Sequence, residues 1–195
     1  MPRVLRITFI KKWGQEGLGN GEFRSPKGID LDSSGNVYVV DYYNHRVQKF
    51  ASDGAYLSQF GHYGIGDGEL KYPAGIAVDS SDNIYVSDGG NDRIQKFQSS
   101  GTFIREWGQL GSGEGDFGYP YGIAIDSFDD VYVVDSLNYR IQKFTNTGDF
   151  LIQWGSEGTG DGQFSYPTDI VIKDFKFRSQ FQFQLHSSCM SETLF

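Results

Sequence analysis

The polar residues that stand out by type and spacing form three copies of Asp-x-x-Asn-x-Arg: Asp41, Asn44, Arg46; Asp88, Asn91, Arg93; and Asp135, Asn138, Arg140. A carboxylate, an amide and a guanidinium at this spacing have two uses. They can line a binding face, or the Asp and Asn can shape a loop while the Arg bridges to a carboxylate of the same or an adjacent unit. Sets that recur unchanged favour the second use, because a site ordinarily breaks the symmetry of a repeat. Asp41, Arg46, Asp88, Arg93, Asp135 and Arg140 are therefore read as structural braces. His45 and His62 depart from the pattern, and they are the residues suited to acid–base or metal chemistry. A metal centre needs several convergent ligands, and His186 lies outside the patterned region. The single Cys189 leaves no disulfide within the chain and no zinc site of several thiolates. No catalytic residue, metal ligand or cofactor is assigned.

Four glycine-rich acidic segments also invite a chemical reading: GQEGLGNGEF, GHYGIGDGEL, GQLGSGEGDF and GSEGTGDGQF. They resemble phosphate cradles superficially, but none ends in G-K-[ST] and each leads into a strand rather than a helix. Their carboxylates do not follow the spacing of a known calcium loop. The segments read as flexible acidic connections on the face that also carries the Asn-containing loops. That face is the expected partner surface. Tyr42, Tyr43, Asn44, His45, His62, Tyr63, Asn91, Asp92, Leu137, Asn138 and Tyr139 are its candidate binding residues, with Tyr suited to anchor an interface.

The elements that position these residues repeat with one period. Pro26, Pro73, Pro120 and Pro167 are each 47 residues apart, as are Asp41, Asp88 and Asp135, and Phe50, Phe97 and Phe144. Trp13, Phe60, Trp107 and Trp154 keep the same step, each followed by glycine. A period of this length means a solenoid or a propeller. Each unit contains GIDLD-like, NVYVVD-like, HRVQKF-like and AYLSQF-like segments in that order, joined by Asp, Ser, Gly and Asn turns. Four short strands with tight connections and no helical periodicity describe one antiparallel propeller blade. The fold class is thus all-β, a propeller of four-stranded blades. The blades run about 26–60, 73–107 and 120–154. Residues 9–14 read as an outer strand and 167–172 as an inner strand of incomplete blades, and 173–195 as a non-repeat tail.

The pattern P-x-G-I-x-[VIL]-D, then [VI]-Y-V-x-D, N-x-R-[VI]-Q-K-F, G and [WF]-G resembles the NHL repeat across about residues 9–172. The resemblance implies a β-propeller, commonly six-bladed, serving as an interaction platform. Within that family it also implies two alternatives. One is the substrate-recognition part of an NHL-containing ubiquitin ligase, although no RING domain is present here. The other is a metal-dependent lyase of a related propeller family. Fold alone decides none of these.

The 195 residues carry a net charge of −8, with 38 % hydrophobic and 16 % aromatic side chains, enough apolar mass for a core. Arg3, Arg6, Lys11 and Lys12 make the first segment basic, so the repeats are more acidic than the whole. That field argues against a general nucleic-acid groove and leaves a protein or peptide as the expected partner. No membrane span and no secretory leader is evident, which assigns the chain to the cytoplasm by default. Lys173 replaces the Asp of the earlier units, and the repeat fails from there. The terminal strands either close a small ring by strand exchange or mark a fragment of a larger propeller. The fragment is preferred, since four blades is the lower limit for such rings. Unclosed blade edges would promote self-association.

Overall fold

The structure, a computed structural model, describes residues 11–173 and the backbone of 183–184. The short strands β1 (Gln15–Glu16) and β2 (Glu22–Phe23) pair in parallel ahead of the first blade. The first blade contains β3 (Pro26–Leu31), β4 (Val37–Asp41), β5 (Arg46–Phe50) and β6 (Tyr56–Phe60). The second contains β7 (Pro73–Val78), β8 (Ile84–Asp88), β9 (Arg93–Phe97) and β10 (Phe103–Trp107). The third contains β11 (Pro120–Ile125), β12 (Val131–Asp135), β13 (Arg140–Phe144) and β14 (Phe150–Trp154). Each is a four-stranded antiparallel meander with its strands in sequence order. Finally β15 (Val171–Ile172) pairs antiparallel with β16 (Phe183–Gln184). No helix among the described residues is long and apolar enough to cross a membrane.

Local chemistry fixes each turn. Asp32 Oδ1 accepts the N–H groups of Ser34 (3.1 Å) and Asn36 (2.8 Å), while Gly35 takes φ +78°. Asp79 and Asp126 repeat the arrangement. The β-branched and aromatic residues of the second strands suit a pleated surface buried on both sides, and all five residues of β4, β8 and β12 are buried.

The core lies between blades. Ile76 packs with Tyr38, Val40 and Val47 of the preceding blade, and Ala77 with Ile123 and Val131 of the next. Near the axis the innermost strands approach so closely that only glycine fits. A Cβ on Gly28 would stand 2.9 Å from the Ala74 carbonyl oxygen, and one on Gly122 would stand 2.7 Å from the Asp169 Cα. Hydrogen bonds also cross the junctions, from Tyr38 Oη to the Ser99 carbonyl and from Tyr85 Oη to the Asn146 carbonyl, each 3.3 Å.

Both ends keep the period beyond the complete blades. Residues 11–14 are not strand, yet Trp13 lies against Gly54 as Phe60 lies against Gly101 and Trp107 against Gly148. Lys11 Nζ donates to the Asp53 carbonyl at 2.7 Å, just as Arg105 Nη1 donates to the Thr147 carbonyl at 2.7 Å. At the other end, Thr168–Ile170 pack on Gly122, and Ile170 joins the far face of the third blade beside Tyr132 and Val134. The face of the first blade is open: Ile29 is 62 % exposed where its counterparts Ile76 and Ile123 are 5 % and 6 %, and Leu31 is 56 % exposed where Val78 and Ile125 are half-buried. The expectation for residues 9 and 10, and that for the tail at 174–182 and 185–195, lie outside the described residues.

Candidate binding face

The bracing sets end the second strand of every blade. Asp41 is fully buried. Its Oδ1 accepts the Arg24 N–H (2.7 Å), and its Oδ2 accepts Asn44 Nδ2 (2.8 Å), Arg46 Nε (2.8 Å) and Gln48 Nε2 (3.2 Å). The rest of the Arg46 guanidinium donates to the carbonyls of Gly19 (2.7 Å) and Glu22 (2.9 Å) and to Gln59 Oε1 (2.6 Å). Asp88 with Arg93, and Asp135 with Arg140, repeat this set, and Arg93 also meets the Glu106 carboxylate. The glycine-rich connections are therefore tied down by guanidinium-to-carbonyl bonds, which sequence reading as flexible loops did not anticipate. Asn44, Asn91 and Asn138 give their amides to the carbonyls of Gly17, Gly64 and Gly111 at 2.9, 2.9 and 2.8 Å. Their side chains hold the loops from within.

A 3-10 turn follows each buried Asp: Tyr42–Asn44, Gly89–Asn91 and Ser136–Asn138. Each ends on a left-handed residue, His45, Asp92 or Tyr139. His45 Nδ1 accepts the Tyr72 N–H at 3.0 Å, and Asp92 Oδ1 accepts the Tyr119 N–H at 2.7 Å. Burial pushes the His45 imidazole below its ordinary value, against the opposing pull of Asp88 and Asp41. Its ring is thus a neutral acceptor occupied by the backbone. The His62 side chain is largely exposed and, among the described residues, pairs with Glu69, Nε2 to Oε1 3.2 Å. Among the described residues, no group of three or more His, Cys, Asp or Glu side chains is placed to hold a metal ion.

One region departs from the repeat. The first blade carries Tyr42–Tyr43 where the second carries Gly89–Gly90 and the third Ser136–Leu137. The two glycines leave space that neighbours fill. A Cβ on Gly89 would lie 3.1 Å from Tyr119 Cε1, and one on Gly90 would lie 3.1 Å from Tyr72 Cδ2. Tyr119 thereby reaches across the second blade to share a 2.5 Å hydrogen bond between its hydroxyl and that of Tyr42. Tyr42 also packs on Tyr43 and Tyr72 with ring centres 4.8 and 5.3 Å apart, and His45 packs on Tyr63 and Tyr72 at 5.0 and 4.7 Å. Burial first, then the bond to Tyr42, raises the Tyr119 phenol.

Tyr42, beside Lys27, and Tyr119, beside Tyr121, adjoin a groove of about 680 Å³ walled by the innermost strands of all three blades and by Thr168–Ile172. Lys27 leans over the rim, its Nζ 5.1 Å from the Tyr42 ring centre and 5.5 Å from that of Tyr121. Of the candidates read from sequence, Tyr42, Tyr43, His45 and Tyr63 join one ring cluster with Tyr72, which meets the groove through Tyr42 beside Lys27, while Asp92 holds the Tyr119 N–H. His62 projects to solvent, Leu137 stands exposed on the third blade, and Tyr139 packs instead on Tyr166 at 5.2 Å. Sequence reading missed Lys27, Tyr72, Tyr119 and Tyr121. Their signal was the variable x of P-x-G, at Lys27 and Tyr121, and the residue before the proline, at Tyr72 and Tyr119.

Side-by-side four-stranded blades around an axial groove, with aromatic loops at its mouth, define a β-propeller architecture. The NHL repeat family model matches residues 23–50 and 70–97, and the chain carries NHL repeats. It is 46 % identical over 50 residues to Protein lin-41 of Caenorhabditis elegans, covering 26 % of this chain and 4 % of that protein. It is 32 % identical over 54 residues to the B-box type zinc finger protein ncl-1 of the same organism, covering 28 % and 6 %. The chain thus spans a small part of these curated relatives. Among solved structures, virginiamycin B lyase from Staphylococcus aureus superposes with a TM-score of 0.56 at 20 % identity, covering 75 % of this chain and 45 % of that one. The gluconolactonase XC5397 of Xanthomonas campestris gives 0.58 at 16 %, covering 78 % and 52 %. These likenesses are of fold.

Proposed function

We propose that this chain is a non-catalytic NHL-repeat propeller element that binds a protein or peptide at the tyrosine-lined groove mouth. Residues 1–172 form its propeller part and 173–195 a separate tail. The observation that carries the reading is the break in symmetry. Buried polar sets repeat from blade to blade as structure demands, whereas Tyr42, Tyr43, Tyr72, Tyr119 and Tyr121 gather at one place. Tyrosine offers large contact area at low entropic cost with a polar tip, which suits partner recognition. A lyase reading has less support, because His45 already serves as a backbone acceptor. The test is peptide selection from a displayed library on the wild-type chain, repeated on a Tyr43→Ala, Tyr121→Ala variant. Selected peptides should lose binding to the variant, and equal binding to both would overturn the assignment.

A second reading keeps the same surface but sets it within a longer chain, as the substrate-recognition part of an NHL-containing ubiquitin ligase. Similarity to ncl-1, named a B-box type zinc finger protein and matched over only 6 % of its length, supports the setting within a longer chain. The open face of the first blade supports one further role, association with a second copy. The strand positions held by residues 11–14 and by Thr168–Ile172 are complementary parts of one blade, so two copies can complete each other head to tail.

A further inference from the structure

Lys27 differs from the lysines of the third strands. Lys49, Lys96 and Lys143 repeat every 47 residues, and each meets a buried turn carboxylate: Lys49 to Asp32 (3.2 Å), Lys96 to Asp79 (3.3 Å) and Lys143 to Asp126 (3.4 Å). Lys27 has no counterpart in the repeat, where Ala74, Tyr121 and Thr168 stand instead. Among the described residues it enters no ion pair, and the groups around its ammonium are the phenols of Tyr121, Tyr42 and Tyr43. The Tyr121 hydroxyl beside it raises its affinity for a proton. The cation is exposed, it sits at the groove mouth, and the rings keep it over the opening.

We propose that Lys27 is the receptor for a single carboxylate of an otherwise uncharged, aromatic-bearing peptide, whose rings pack on Tyr42, Tyr43 and Tyr121 as it enters the groove. This rests on the reading that the groove mouth binds a peptide. Two features narrow the ligand. A carboxylate beside an ammonium among aromatic walls makes a charge-assisted hydrogen bond while peptide rings stack on tyrosines. Farther in, Asp30 lies three residues along β3, roughly 10 Å from Lys27 at about 3.3 Å per residue, and Asp169 lines the opposite wall. Those carboxylates repel a second acid. A run of glutamates or a chain of phosphates, as in single-stranded RNA, is disfavoured where one acid is welcomed. The groove's volume of about 680 Å³ falls in the range of sites that enclose small ligands.

The experiment is a calorimetric and NMR titration of the full chain with acetyl-Tyr-Glu-Tyr-amide, its Gln analogue, and acetyl-Tyr-Gly-Tyr with a free C-terminal carboxylate. Hexaglutamate and hexauridine serve as polyanionic probes. The Glu peptide should bind about tenfold more tightly than the Gln peptide, and Lys27→Met should erase that preference while Lys27→Arg keeps it. Better binding of the free-carboxylate peptide than of the Glu peptide assigns the acid to a chain terminus; the reverse assigns it to a side chain. Equal binding of Glu and Gln peptides, with both weakened by Tyr43→Ala, overturns the carboxylate inference and leaves the peptide reading intact. Failure of every peptide to shift the rim tyrosines overturns both. Hexauridine or hexaglutamate binding as tightly as the Glu peptide, and losing affinity in Lys27→Met, makes the site a general anion patch and also overturns the inference.

Discussion

His45 Nδ1 accepts the backbone N–H of Tyr72 at 3.0 Å, the service that Asp92 performs for Tyr119 one blade later at 2.7 Å. Two chemically different side chains do one job at the same point of the repeat, and the job is to anchor the residue before each blade-opening proline. What differs is proton affinity. An imidazole accepts only while that nitrogen is unprotonated.

This relationship predicts a pH-dependent stability. The folded His45 has a lowered pKa through burial, so its contribution is fully present above the ordinary value of 6.5 and is lost as pH falls through the lower folded value. His45→Asn retains an acceptor and does not titrate. Thermal melts of the two proteins should run parallel at pH 7.5, and the wild type should lose more stability than the variant by pH 5.5. Identical losses would show that the imidazole does not hold the Tyr72 N–H.

Gly89→Ala should disturb the tyrosine cluster. The added Cβ would sit 3.1 Å from both Tyr119 Cε1 and the Tyr72 carbonyl oxygen, tighter than ordinary contact. Overpacking of this kind costs about 1–3 kcal/mol. The ring of Tyr119 is the part able to move, so its NMR resonances and those of Tyr42 should shift together. A variant with unchanged Tyr119 resonances would place the strain elsewhere.

Removing one brace should be far more costly than altering the rim. Asp88 is fully buried and accepts from Lys71 N (2.6 Å), Asn91, Arg93 and Gln95. Asp88→Ala strands the buried donors that share this carboxylate and leaves the nearly buried Arg93 guanidinium paired only with the partly exposed Glu106, a change worth about 3 kcal/mol, the lower end of the cost of breaking a buried pair. Denaturant titration should register it, whereas Lys27→Met should stay within about 0.5 kcal/mol of wild type.

The open first blade predicts association. Burying an isoleucine or leucine fully is worth about 1.5–3 kcal/mol. Ile29 and Leu31 are therefore a strong incentive for a second copy to cover the face. Sedimentation of the wild-type chain should show dimers, and a variant carrying Ile29→Lys and Leu31→Glu should sediment as monomer. A wild-type chain that stays monomeric at high concentration would remove this role.

Much of the architecture was readable in advance because a repeat states the same constraint several times. The all-β blades follow from the 47-residue period, the alternation of Val and Ile with Tyr, and Asp-Ser-Gly-Asn turns whose geometry is set within five residues. Pairing of Asp41 with Arg46 was legible for the same reason, since strands β4 and β5 bring them opposite one another. The site was only half legible. His45 was marked by its departure from the repeat, and Tyr42 and Tyr43 as loop tyrosines suited to an interface, but partners such as Tyr72 and Tyr119 lie far along the chain.

Sequence alone therefore determined the blade, because a blade's hydrogen bonds and turns are local. Tertiary structure alone decided which exceptions meet. Tyr42 and Tyr119 are 77 positions apart and touch only because Gly89, in the blade between them, carries no side chain to keep them apart. It likewise placed Lys27 beside Tyr121, since side-by-side stacking brings innermost strands together at the axis, where no local rule specifies neighbours.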